Sequence, residues 1–316
     1  MTRDEKYLAR IKFQNMVLRS DKQAYEDLFT RVMQSYDHNF QPVKPHGREG
    51  DKKCDGYNKT TGQYYQVYAP EDLSGKEKIA QEKLDKTIEG IFSYWQSVSP
   101  IKEFYFVIND KYNGVWPTIH QQLSQYSKIY QVKTDTFLCN KLENIFLELT
   151  DEEIFDILGG LLPNAANITN IELSVLGEVI DHMMNFATKP QEERFPEDPN
   201  FDKKIKFNDL SDYFAMMLIV AYRQTYIIDD FFMYQSSFPK QDLKLIFSDF
   251  YSIAQETVPA SMENRSDIIF QIIWDEASPR NTKSIRDAVL VLMAHYFESC
   301  DIFKEPIEPR QQNLFE

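Results

Sequence analysis

The sequence predicts a mixed α/β domain followed by an all-α domain. Three observations predict it. Before position 135 the apolar spacing alternates between the two-residue period of strands and the three-to-four-residue period of helices. After Asp135 only helical spacing recurs. Charge divides in the same region: residues 1–150 carry 21 Lys+Arg and 20 Asp+Glu, whereas residues 151–316 carry 14 and 29. The halves are therefore near neutral and strongly acidic, net +1 and −15. With 316 residues, 42% of them hydrophobic, there is material for about two cores at ~100–200 residues each.

The elements follow in order. Residues 5–36 read as a long helix, with Phe13, Met16, Val17, Tyr25, Leu28, Phe29, Val32 and Met33 on its apolar stripe; Ser20-Asp21 can interrupt it. Residues 39–50 hold two prolines and two glycines and read as a short strand with loops. Residues 53–57 and 63–69 are the arms of a hairpin around Asn58-Lys-Thr-Thr-Gly62, whose residues suit a turn. Residues 74–97 form a helix that Ser74 can cap, with Glu77 three positions on. Residues 102–109 (KEFYFVIN) make a buried strand, 116–126 a short helix and 128–132 another strand.

Beyond these, helices are expected at 136–148, 151–158, 170–187, 207–234, 239–256, 264–276 and 284–299. Thr150-Asp-Glu-Glu153 and Thr169-Asn-Ile-Glu172 are capping boxes. Residues 188–202, with three prolines and five acids, read as a linker or loop. The domain boundary is placed at 135/136: an α/β domain at 1–135 and a helical domain at 136–316.

Several function classes are excluded. The charged start Met1-Thr-Arg-Asp-Glu-Lys6 has no following apolar run, and the longest apolar run is ten residues, Tyr213 to Tyr222; no secretory signal and no membrane span are expected. Three widely spaced cysteines, Cys54, Cys139 and Cys300, fit reduced thiols and a cytoplasmic location. There is no phosphate-binding G-x-x-x-x-G-K-[ST] loop and no G-x-S-x-G elbow. The five histidines stand apart from the cysteines, so no zinc-ligand spacing arises; His46 alone lies near hairpin acids, Asp51 and Asp55.

One segment concentrates chemistry: Gly47-Arg-Glu-Gly-Asp-Lys-Lys-Cys-Asp-Gly-Tyr-Asn-Lys-Thr-Thr-Gly-Gln-Tyr-Tyr-Gln-Val-Tyr-Ala-Pro-Glu71. Asp55 is on the first arm and Gln66 on the second, eleven residues later, so antiparallel pairing can set them side by side. Glu26, on the preceding helix, can approach if that helix packs on the hairpin. Two acids and an amide oxygen suit a hard cation, Mg²⁺ or Mn²⁺, able to orient water against a phosphodiester. A purely structural account stays open: Asp55, Gly56 and Gly62 as turn residues, Gln66 as a strand-surface amide, and Glu26 as a solvated helix residue.

Residues 10–133 resemble the restriction-endonuclease-like (PD-(D/E)xK) core, a mixed sheet flanked by helices. By this resemblance Glu26, Asp55 and Gln66 would be the metal-binding and catalytic residues of a Mg²⁺- or Mn²⁺-dependent endonuclease acting on duplex DNA. The motif lysine position holds Tyr68. Lys52, Lys53 or Lys59 would have to substitute, or the domain would be a non-cleaving version.

Residues 136–305, through Lys204-Ile-Lys-Phe-Asn-Asp-Leu-Ser211 and Ala288-Val-Leu-Val-Leu-Met-Ala-His-Tyr-Phe-Glu-Ser-Cys-Asp-Ile-Phe303, resemble the helical C-terminal domain of effectors in bacterial ABC-type three-component defence systems, Lamassu-type systems among them. That resemblance implies docking on an SMC-like ABC ATPase and a small accessory subunit, with homo-oligomerisation left open. Three readings follow: a controlled nuclease effector, a degenerate nuclease-fold scaffold or DNA-sensing subunit, and an unrelated α+β interaction module.

Overall fold

The computed structural model describes residues 1–44, 52–160, 162, 168, 170–186, 201–234, 240–298 and 302–306. The chain divides into two compact units, Met1–Leu162 and Pro163–Glu316.

The first unit begins with α1 (Arg3–Arg19) and α2 (Lys22–Tyr36). Thr2 and Glu5 cap α1 reciprocally: the Glu5 N–H donates to the Thr2 hydroxyl and the Thr2 N–H to the Glu5 carboxylate. The expected interruption falls at Ser20-Asp21. Next come β1 (Phe40–Pro42), β2 (Gly56–Asn58) and β3 (Gln63–Tyr68), then α3 (Glu77–Tyr94), β4 (Glu103–Ile108), α4 (Pro117–Tyr130) and β5 (Lys133–Phe137). Two helices close the unit, α5 (Cys139–Glu148) and α6 (Asp151–Leu158).

The five strands lie in sequence order. β1–β2–β3 pair antiparallel and β3–β4–β5 parallel, giving the expected mixed sheet flanked by helices. Strand alternation sorts the side chains between two cores. Tyr65, Val67, Tyr105, Val107 and Phe137 face α1, α2, α5 and α6. Tyr64, Phe104, Phe106 and Ile108 face α3 and α4.

Four boundaries differ from the sequence reading. Gly75 takes a left-handed φ of +67°, so α3 starts at Glu77 and Ser74 does not cap it. α4 continues to Tyr130 and stops where Gln131 turns left-handed (φ 55°); the strand expected at 128–132 is β5 at Lys133–Phe137. The strands end near the expected 135/136 boundary, but the compact unit extends to Leu162. Phe146, Ile154 and Ile157 of α5 and α6 complete the core beneath α1 and α2.

The fourth difference lies in the second unit, which contains α7 (Leu173–Met184), α8 (Phe201–Phe207), α9 (Asp212–Tyr222), α10 (Tyr226–Tyr234), α11 (Lys240–Thr257), α12 (Arg265–Glu276) and α13 (Lys283–Glu298). The single helix expected over 207–234 is broken twice. Asp209 is left-handed (φ 53°), and Asp267 accepts the Ser211 N–H at 3.0 Å, fixing the start of α9; a turn at 223–225 then separates α10. α13 is buried on nearly every side, and the buried Lys204 ammonium donates to its Phe297 carbonyl at 2.8 Å. Thr150 forms its capping box with Glu153, whereas Thr169 lies outside the described residues. No helix among the described residues is long and apolar enough to cross a membrane.

Candidate functional site

The hairpin register decides the geometry. β2 pairs Gly56 with Tyr65, so Asp55, just before β2, reaches the level of Gln66 on β3. The Asp55 N–H donates to the Tyr65 carbonyl at 2.9 Å, and its own carbonyl accepts from Val43 at 2.9 Å. Held at both backbone atoms, Asp55 aims Oδ2 at the second arm. There it accepts the Val67 N–H at 2.6 Å and, in a short contact, the Gln66 side-chain N–H. Both residues are buried, 4% and 2% exposed. Gln66 Oε1 is also buried and has no hydrogen-bond partner among the described residues. An unpartnered amide oxygen beside a carboxylate is an electron-rich point that costs free energy unless a donor or cation meets it.

Gly56 allows the strands to come this close to β1. A Cβ there would stand 2.2 Å from the Phe40 ring, so the ring lies directly on the glycine.

Glu26 is on α2, which packs through Tyr25, Leu28 and Phe29 on the sheet face opposite that of Tyr64 and, by alternation, Gln66. Its side chain is half-buried. Tyr68 stacks on Phe106, ring centroids 5.9 Å apart, and burial raises its phenol pKa. The motif-lysine position is thus part of the aromatic packing. Lys52 holds its ammonium over the Tyr94 ring at 5.4 Å, the Lys53 stem lies against Gly90 of α3, and Lys59 is exposed in the hairpin turn. His46 and Asp51 lie outside the described residues, as does Cys300. Among the described residues no three His, Cys, Asp or Glu side chains are placed to hold a metal. Asp55 and Gln66 are the two predicted site residues placed side by side here.

The sequence reading missed a second polar cluster, at the C-terminal end of β4. Asp110 accepts the Cys139 N–H and the Gly114 N–H, each at 2.9 Å. Asn109 donates to the Val17 and Ser20 carbonyls at 3.1 and 2.8 Å and accepts from the Cys139 thiol at 3.1 Å. Burial and the neighbouring Asp110 push that thiol's pKa well up, which favours its neutral form. These groups tie the end of β4 to α1 and to the start of α5. The available signal was an Asn-Asp pair directly after a buried strand, a position where parallel sheets place polar residues.

The comparison with known families turns on the second unit. Residues 174–304 match C-terminal domain 10 of the ABC-three component (ABC-3C) systems. The match covers α7 to α13 and stops short of the sheet unit. No curated protein and no solved structure matches the chain.

Proposed function

We propose that this protein is a subunit of an ABC-three component anti-phage defence complex, with a nuclease-type N-terminal unit. The helical unit would bind an SMC-like ABC ATPase and a small accessory subunit, and the sheet unit would act on duplex DNA. The single observation that carries the nuclease reading is the buried Asp55–Gln66 pair with its unpartnered Gln66 oxygen. These two residues fit a hard cation, Mg²⁺ or Mn²⁺, which when bound would polarise water and offset phosphate charge. Asp55 would supply the negative charge. Gln66 would orient that carboxylate through its N–H while presenting its oxygen. Glu26 enters only as an auxiliary, because its helix belongs to the other layer.

A second reading has its own observation. Tyr68 is packed on Phe106 where the family's lysine would act, and Asp55 Oδ2 already satisfies two donors. The unit would then be a nuclease-derived scaffold or DNA-sensing subunit.

The test is cleavage of linear and plasmid duplex DNA with Mg²⁺ or Mn²⁺ by the assembled and triggered complex. Asp55→Asn is expected to abolish cleavage and Glu26→Gln to leave most of it. An assembled, triggered complex that binds no divalent cation and cuts nothing would establish the scaffold reading instead.

A further inference from the structure

α9 has apolar residues on every side. Phe214, Met217, Leu218 and Ala221 are buried, while Met216, Ile219 and Tyr222 on the other side are 37–44% exposed. A helix apolar all round normally lies inside a protein. Tyr222 packs on Phe201, ring centroids 5.0 Å apart, and donates to Glu298, whereas Met216 and Ile219 stay exposed among the described residues. The uncovered side is not flat. Asp212, Ala215 and Ile219, spaced three and four residues apart, form one wall of a groove of about 380 Å³. Ile205, Lys206 and Leu210 form the other side, and Asp202 and Asp209 add to its acidic rim.

The charge selects the occupant. Three carboxylates and one ammonium border the groove, and residues 163–316 carry 14 Lys+Arg against 25 Asp+Glu, a net of −11. A nucleic acid or an anionic lipid surface would be repelled. A second copy would set one acidic unit against another. An apolar floor with an acidic rim fits an amphipathic helix with apolar residues at i, i+3, i+4 and i+7 and Lys or Arg beside them.

We infer that the α8–α9 groove is the docking site for a basic amphipathic helix of a partner protein in the complex. This rests on the reading of the helical unit as the partner-binding domain. The groove supplies apolar contact, and Asp202, Asp209 and Asp212 set the register and speed the encounter of a positively charged segment.

The experiment uses the full chain in two arms. In the first, an 18-residue Leu/Lys peptide with leucines at that helical spacing is titrated by fluorescence anisotropy, with a Leu/Glu peptide as control. In the second, the tagged chain is purified with the other two components of its system. The variants are Met216→Glu with Ile219→Glu, both at exposed positions, Ile219 in the groove wall and Met216 beside it on α9, and Asp209→Asn with Asp212→Asn; circular dichroism verifies folding. The inference expects micromolar binding of the Leu/Lys peptide only. The Glu pair should weaken it at least tenfold and release the partner. The Asn pair should lower affinity several-fold and flatten its dependence on salt. If the Glu pair keeps the partner, the groove is overturned while the partner-binding reading stands. If the wild type retains no partner but binds the Leu/Lys peptide in the variant-sensitive way, the groove is supported and the assembly reading fails. Equal binding of the Leu/Glu peptide, or no effect of either variant pair, overturns the inference.

Discussion

Replacing Asp55 by Ala and by Asn separates the structural work of this carboxylate from any chemistry. Its Oδ2 satisfies two donors, the Val67 N–H and the Gln66 side-chain N–H, in a place only 4% exposed. Alanine strands both. At ~1.5–3 kcal/mol for each bond to a charged acceptor, Asp55→Ala should cost about 3–6 kcal/mol. Asparagine keeps an oxygen in the same place and loses only the charge assistance, so Asp55→Asn should cost about 1–2 kcal/mol. The assay is urea unfolding of the full chain, followed by the near-UV signal of the tyrosine-rich sheet. Repeating it with Mg²⁺ or Mn²⁺ gives a readout independent of cleavage. A cation at ~100 times its Kd would stabilise the wild type by about 2.7 kcal/mol and the Asn variant by far less. An Ala variant within 1 kcal/mol of wild type, or an Asn variant as costly as Ala, would refute the hydrogen-bond reasoning. Equal cation stabilisation of wild type and Asn would remove Asp55 as a ligand.

Two further outcomes are expected. Gly56→Ala places a methyl 2.2 Å from the Phe40 ring and should cost about 1–3 kcal/mol in thermal unfolding, with Phe40→Leu restoring much of it. His295 has its pKa lowered from 6.5 to about 4, first by burial and then by Lys240. Between those values the unfolded chain takes up a proton that the folded chain refuses, so this stability is full above pH 6.5 and falls as pH drops towards 4. The loss should reach at most about 3 kcal/mol, and His295→Gln should flatten that part of the stability–pH curve.

The hairpin was legible because its arms are rich in tyrosine and valine and are divided by turn residues; the same pattern foretold that Asp55 and Gln66 would meet. Glu26 was a different matter. Its sequence position shows that it lies on a helix, but not which face of the sheet that helix covers. Tertiary packing decides that, through Tyr25 and Phe29. β5 was displaced from 128–132 because Ile129, Tyr130 and Val132 have strand propensity in isolation, yet Leu123 and Ile119 carry α4 onward until Gln131 breaks it. The breaks around α9 were hidden by an unbroken apolar run; the deciding groups, left-handed Asp209 and distant Asp267, act through backbone geometry and a contact 56 residues away. Asp110 escaped notice because a carboxylate that serves two backbone N–H groups has no spacing signature.

β3 is where the antiparallel and parallel halves of the sheet join, and this gives the Asp55–Gln66 pair a history in time. Its two residues are eleven apart, so the hairpin can close soon after Val67 leaves the ribosome. The strand on its other edge, β4, ends at Ile108, about forty residues later, and pairs only across the α3 crossover. The hairpin alone is a two-stranded ribbon, so the buried setting of this carboxylate needs the chain that follows it as well as the eleven-residue closure.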